Sequence, residues 1–308
     1  MSGRGYLAAL DIGGTHARLA LRLPGRQPRF YTAPGFTLLQ NGPEQTARRC
    51  AELLLPALAQ LGQTPQGCAA LCCGAAGVDS EADRRAYKRL LTGLGFAPQQ
   101  VWVYNDCELP LAALGRPALL VAAGTGSMAL ARDARGRFHR CGGWGFMTSD
   151  EASACRLALQ GLTCAVRAWQ GMCDAPVLTG LLAEQGVNGP AQAEALARAA
   201  LTDKSRLAAL APLVCRAAQQ GERPAARLVR REAAALGMCA AAAARKAQLC
   251  QPPLLLWGGL LTGAPALREP LVRYLQKKLG ARPVAMPSSA LEAALELAAR
   301  QEEQHEFV

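Results

Sequence analysis

The sequence predicts an α/β protein of two related lobes facing each other across a cleft, and three observations predict it. A strand, a turn of glycines and hydroxyls, and a second strand occur twice, as LAALDIGGTHARLAL and as LLVAAGTGSMALAR. Short apolar runs alternate with segments of helical spacing, the pattern of strands joined by helices. The chain has 308 residues, 51% of them hydrophobic, which suits two domains of about 150 residues, each with its own core.

The elements can be taken in order. Tyr6–Leu10 is an apolar run, Asp11–Thr15 is a tight turn, and His16–Leu23 alternates with Leu19, Leu21 and Leu23 on one face. That is a β-hairpin with glycines at its bend. Residues 44–61 have helical spacing, Ala69–Cys73 is a buried strand, and Ser80–Thr92 is an amphipathic helix. Val101–Tyr104 is a strand that stops at Asn105–Asp106, before an apolar helix running to Leu114. Ala118–Ala123, Gly124–Ser127 and Met128–Arg132 repeat the opening hairpin. After Ser149 the pattern is helical through Leu249, then Leu254–Trp257 is a strand breaking at Gly258–Gly259, and 290–302 is a closing helix. The lobes are expected at 1–115 and 116–289, with a terminal helix, 290–308, returning to the first.

Composition narrows the function. The net charge of +11 comes from 29 Arg and 5 Lys with no run longer than three. With the Ala and Leu excess this reads as the codon bias of a GC-rich genome. Aromatics are sparse and not interleaved with the basic residues, which argues against a platform for single-stranded nucleic acid. No signal peptide and no apolar run of roughly 18 residues is present, so a soluble cytoplasmic protein without membrane partners is expected. The twelve cysteines contain no CxxC pair to build a zinc site, and read as small buried hydrophobes in a reducing cytosol.

Five places carry chemistry. In DIGGT, the glycines Gly13 and Gly14 permit the turn, and their amides with the Thr15 hydroxyl can hold phosphate oxygens. Asp11, at the strand end, could hold magnesium through water. The alternative is a plain hairpin bend. In GTGS, Gly124, Thr125, Gly126 and Ser127 repeat that physics, and two opposed turns can clamp a phosphate chain from both sides. Neither turn fits the P-loop or dinucleotide pattern. Asp106 ends a strand, where α/β folds collect ligands; it is either a carboxylate for a sugar hydroxyl or a cap of the next helix. In CGGWGFMTSDEAS, a Gly-Gly bend carries Trp144, and Asp150–Glu151 follows at an expected helix start. Carboxylates and flat apolar surfaces bind sugars; core packing by Trp144 and helix capping by Asp150 is the plainer reading. In LLLWGGLLTG, glycines let an adenine ring lie against backbone.

These motifs, with the ND of YNDCELPLAAL and the closing PSSALEAALELA, resemble in order and spacing the N-acetylglucosamine kinases within the BadF/BadG/BcrA/BcrD ATPase family. The resemblance covers nearly the whole chain. It implies the two-lobed actin/hexokinase-like (ribonuclease H-like) fold with an ATP cleft between lobes. It also implies a sugar kinase using ATP and magnesium, acting on the 6-hydroxyl of N-acetylglucosamine or glucosamine, and assembly as a homodimer. By position, Thr15 and Thr125 would contact ATP phosphates, with Asp11 near magnesium. Asp106 would be the catalytic base and, with Asn105, a substrate contact. Ser127, Gly143, Trp144 and Asp150 match sugar-contacting positions, and Gly258, Gly259 and Thr262 fall where the family holds the nucleotide. Ser149 and Ala152 stand where that family usually has glycine, and Met128 where an asparagine is common. Two other readings stay open. One is an ATPase that activates a 2-hydroxyacyl-CoA dehydratase through an iron–sulfur cluster. The other is a sugar or nucleotide sensor without turnover.

Overall fold

The structure, a computed structural model, describes residues 5–285 and 289–305. In chain order the elements begin β1 (Tyr6–Ile12), β2 (His16–Arg22), β3 (Arg29–Pro34), α1 (Leu38–Ala59), β4 (Cys68–Ala75), α2 (Glu81–Gly93), β5 (Val101–Asn105) and α3 (Glu108–Leu114). Next come β6 (Ala118–Ala123), β7 (Ser127–Arg132), β8 (Phe138–Gly142), α4 (Ala154–Trp169), α5 (Pro176–Ala183), α6 (Pro190–Ala199), α7 (Ser205–Ala208), α8 (Ala211–Gln219) and α9 (Arg223–Lys246). The chain closes with β9 (Pro253–Trp257), α10 (Gly259–Gly263), α11 (Pro265–Leu279), β10 (Arg282–Pro283) and α12 (Ala290–His305).

Contacts divide the chain into two units, one reaching to Gly115 and including the C-terminal helix, the other Arg116–Ala285. The first unit holds a five-stranded sheet in the order β3-β2-β1-β4-β5. β1 pairs antiparallel with β2 and parallel with β4, and β5 runs parallel to β4. β1 is the central strand, and its run Tyr6–Leu10 is buried throughout, as a strand covered on both faces requires. α12 packs on β1, β4 and α3. Cys68, Cys72 and Cys73 lie on β4 as small buried residues, and burial pushes the thiols of Cys68 and Cys72 up to about 12.

The second unit holds a sheet in the order β10-β9-β6-β7-β8. β6 pairs antiparallel with β7, β7 antiparallel with β8, β6 parallel with β9, and β9 parallel with β10. This is the first sheet again: a three-stranded meander whose first strand accepts two later strands on its other side. The repeat seen in two hairpins therefore extends to all five strands. α9 covers β6, β7 and β8 with an alanine-rich face. Gly237 on that helix lets Tyr274 of α11 lie against it, since a Cβ there would stand 2.5 Å from the ring.

Several expectations shift. The helix expected over 44–61 begins at Leu38, where the Thr37 side chain accepts the Gln40 amide, and is interrupted at Gly42, whose φ of 72° is not helical. β3, β8, β10, α10 and α11 have no counterpart in the sequence reading. Ser80 caps α2 in a full capping box with Asp83, placing the helix start one residue later than expected.

Candidate functional site

Strand register places the first group of candidate residues along one edge of the first sheet. Ile12 stands beside Ala75, and Ala75 beside Asn105. The strands are parallel, so Asp11 and Asp106 lie at the same carboxyl edge. Asp106 follows β5 directly, and the amide of Cys107 donates to its Oδ1 at 3.0 Å. Its carboxyl is raised from 3.8 to about 6, first by burial and then by the charges of Asp11 and Asp79, against the stabilising Cys107 amide. Asp11 is raised too, by burial, while Arg18, 3.9 Å away, opposes the rise.

Asn105 does not face outward. It is buried, its amide donates to the Val78 carbonyl at 3.2 Å, and its Oδ1 accepts the Cys107 amide at 3.0 Å. Glu108, also buried, accepts the Asn105 amide at 2.9 Å and is gripped by Arg84 at 2.7 Å. Asn105, expected as a substrate contact, fixes the strand end from which Asp106 projects. Arg84 and Glu108 were not singled out in the sequence; a charged residue in the first turn of a short apolar helix was the available signal.

The DIGGT turn is braced from behind. Gly13 N donates to His16 O at 2.9 Å, Gly35 N to Thr15 O at 2.9 Å, and Phe36 N to Gly13 O at 3.0 Å. Gly14 and Thr15 are exposed, and their amides have no acceptor among the described residues. Neither Gly13 nor Gly14 has a positive φ, so the turn does not need glycine for its dihedrals. The residue with no room for a side chain is Gly35, where a Cβ would stand 2.5 Å from the carbonyl carbons of Gly14 and Thr15.

In the second unit, Ala122 pairs with Trp257, so the Gly124–Ser127 turn and Gly258 share one edge. Gly124 N donates to Gly126 O at 2.9 Å, leaving the exposed Thr125 and Gly126 amides without acceptors among the described residues. Gly258 has φ 93°, and a Cβ there would stand 2.8 Å from the carbonyl carbon of Ala123. Sheet packing thus demands this glycine whatever lies against it. Gly259 is exposed, and the Thr262 hydroxyl turns back to the Gly259 carbonyl at 3.2 Å.

The GGWG loop and the second turn are fastened together. The buried Ser127, expected to touch sugar, has its hydroxyl donating to the Glu151 carbonyl at 2.7 Å. The first amides of α4 meet the turn: Ala154 N donates to Gly124 O at 2.8 Å and Cys155 N to Thr125 O at 3.4 Å. Ser153, not Asp150, caps α4, its side chain accepting the Arg156 amide. Asp150 stands free of the helix: Oδ1 accepts the Gly145 amide at 3.0 Å, and Oδ2 lies 3.1 Å from where a Gly126 Cβ would be. Burial raises its carboxyl, opposed by the Gly145 amide, Lys204 and Arg140.

Trp144 is 71% exposed rather than packed in the core, with Arg140 stacked 4.8 Å from its ring centroid. Gly143, at φ 79°, turns its carbonyl to Arg140. Ala152 also has a left-handed backbone, φ 59°, which accounts for the glycine that the resembled family prefers there; Ser149 needs no such conformation.

Two copies of one five-stranded sheet, each with a glycine turn at the end of its central hairpin, define the actin/hexokinase-type fold of sugar kinases. The profile of the BadF/BadG/BcrA/BcrD ATPase family matches residues 8–295, and the chain belongs to that family. It is 27% identical over 178 residues to the N-acetylmuramic acid/N-acetylglucosamine kinase of Clostridium acetobutylicum, a match spanning 57% of this chain and 58% of that protein. A Chromobacterium violaceum structure provisionally described as an N-acetylglucosamine kinase is similar at TM-score 0.74 and 27% identity, over 97% of this chain and all of that one. A Porphyromonas gingivalis structure of the same provisional description shares the fold at TM-score 0.68 and 17% identity, over 97% and 99% of the two chains. Among the described residues no helix is long and apolar enough to cross a membrane.

Proposed function

We propose that the protein transfers the γ-phosphoryl group of ATP to the 6-hydroxyl of an amino sugar, N-acetylglucosamine or glucosamine. The observation that carries this reading is Asp106, a carboxyl held at a strand edge by the Cys107 amide and raised to about 6 by burial and by Asp11. A base whose pKa lies near the working pH is suited to take a proton as the bond forms. The sugar oxygen attacks the γ-phosphorus, the bond to the departing ADP breaks, and the hydroxyl proton passes to Asp106.

The open amides of Gly14, Thr15, Thr125 and Gly126, with the Thr15 and Thr125 hydroxyls, would hold phosphate oxygens. Gly258, Gly259 and Thr262 would take the rest of the nucleotide. Trp144 would offer the sugar a flat apolar face and Asp150 a hydroxyl acceptor. Among the described residues no three metal-ligating side chains form a cage, and Asp11 stands near Asp106. That fits magnesium, which keeps its waters and leans on one or two carboxylates and substrate phosphates. When bound with ATP it would neutralise charge on the transferred phosphoryl group, and Asp11 is the residue that would hold it.

A variant of this reading has its own support. Lys204 and Arg140 both lie close enough to act on the Asp150 carboxyl, and two cations beside the sugar loop favour a substrate with an acidic substituent. N-acetylmuramic acid, in the name of the Clostridium relative, is such a sugar. An ATP-consumption screen over N-acetylglucosamine, glucosamine, N-acetylmuramic acid, N-acetylmannosamine and glucose tests both. Turnover with an amino sugar is expected. Sugar binding without ADP release would replace the kinase with a sensor, and bound iron in the purified protein would turn the assignment to the dehydratase-activating ATPases.

A further inference from the structure

The loop carrying Asp150 has a backbone that its own residues disfavour. Asp150 and Ala152 have φ of 56° and 59°, a region that residues with a Cβ seldom enter. Part of its fastening comes from far along the chain. Glu232 lies on the buried face of α9, 2% exposed, among alanines and leucines. Its Oε2 accepts the Ala152 amide at 3.1 Å and Arg156 Nε at 3.2 Å. Arg156 in turn donates from Nη1 to the Ser149 carbonyl at 3.4 Å. One carboxylate therefore grips both sides of Asp150: the amide two residues after it directly, and the carbonyl one residue before it through Arg156.

A buried carboxylate needs a reason, because an apolar residue of similar volume often serves packing as well or better. The start of α4 does not supply that reason. It is already capped by Ser153 and tied by its amides to Gly124 and Thr125. What Glu232 contributes to the strained segment is the acceptor for the Ala152 amide and the orientation of Arg156, beside the Ser127 hydroxyl that holds the Glu151 carbonyl.

We propose that Glu232 is a positioning residue for the sugar site, holding residues 149–152 so that the Asp150 carboxylate stays between the Gly145 amide and the Gly126 turn. This rests on reading Asp150 as a sugar-binding carboxylate. Two measurements on the full-length protein test it. The first is hydrogen exchange over residues 143–153 in Glu232→Gln and Glu232→Ala. Loss of a hydrogen bond to a charged group should speed exchange there by about tenfold, with β6 and β7 unchanged. The second is a double-mutant cycle with Asp150→Asn. Glu232→Ala should raise the sugar KM by about tenfold while the ATP KM stays within about twofold, and should add nothing in the Asp150→Asn background.

Unchanged exchange in the loop, or a KM effect that persists in the Asp150→Asn background, overturns the proposal. If Glu232→Ala does not fold, the isosteric Glu232→Gln, which keeps an oxygen for Ala152 and loses the charge facing Arg156, carries both tests. If the native protein phosphorylates no sugar yet the loop exchanges faster in the variant, the kinase reading fails and the positioning role stands.

Discussion

Replacing Asp106 with asparagine should make the protein both slower and more stable. The carboxyl sits at about 6 in the folded protein against an ordinary 3.8, with burial the largest cause and the Asp11 charge next. Each whole step of pKa corresponds to about 1.4 kcal/mol, so holding Asp106 ionised costs the fold at most about 3 kcal/mol at neutral pH. The folded state binds this proton more tightly than the unfolded chain. The penalty is therefore absent below about pH 4, grows as pH rises through the interval from 3.8 to about 6, and is constant above it. Asparagine carries no such penalty and still offers an oxygen to the Cys107 amide. At about 2–4 °C per kcal/mol for a domain of this size, Asp106→Asn should melt up to about 10 °C higher at pH 7.5, with the gap closing near pH 4. The native enzyme should lose kcat/KM about tenfold per pH unit below about 6, and the variant should lose on the order of 10²–10⁴ in rate. Thermal unfolding from pH 4 to 8, paired with ADP release, measures all of this. A variant less stable than the native protein at pH 7.5, or one with near-native turnover, would refute the reasoning.

The other site predictions concern the turns and the exposed tryptophan. Gly35→Ala should push the first turn out of place, because its Cβ meets main-chain atoms rather than a yielding side chain; ATP binding by calorimetry should weaken about tenfold or more with the sugar KM little changed. Gly258→Ala combines a φ of 93° with a clash against Ala123, and should cost about 1–3 kcal/mol, visible as a lower Tm and weaker nucleotide binding. Trp144→Ala removes an exposed ring, so Tm should hold within about 1–2 °C while the sugar KM rises several-fold. A large fall in Tm there would mean that Trp144 supports the fold instead.

Much of the architecture was legible because its signals were local. The apolar runs of β1 and β6 and the amphipathic spacing after Ser80 announced their elements. β3 did not: RFYTAP is largely exposed, with no apolar alternation to reveal a strand. The early start of α1 was hidden by Gly42, which breaks the helical period that begins at Leu38. In the site, residue types were read more surely than their duties. Asn105 and Ser127 are polar in the expected places, yet both spend their hydrogen bonds inside their own unit. Gly35 and Glu232 went unread because their partners lie far away in sequence, at Thr15 and Ala152. Nor does an alanine advertise a left-handed backbone, as Ala152 has.

Both glycine turns are gripped main chain to main chain, the first by the amides of Gly35 and Phe36, the second by those of Ala154 and Cys155. Such a grip reads almost nothing of side-chain identity except at Gly35, where a Cβ has no room, so substitution elsewhere along these segments can wander widely without loosening it. The loop of Asp150 hangs on the side chains of Ser127, Arg156 and Glu232, where a single replacement is felt at once. Within one protein the two ends of the proposed reaction would thus drift at different speeds, the donor end conserved by geometry and the acceptor end open to new sugars.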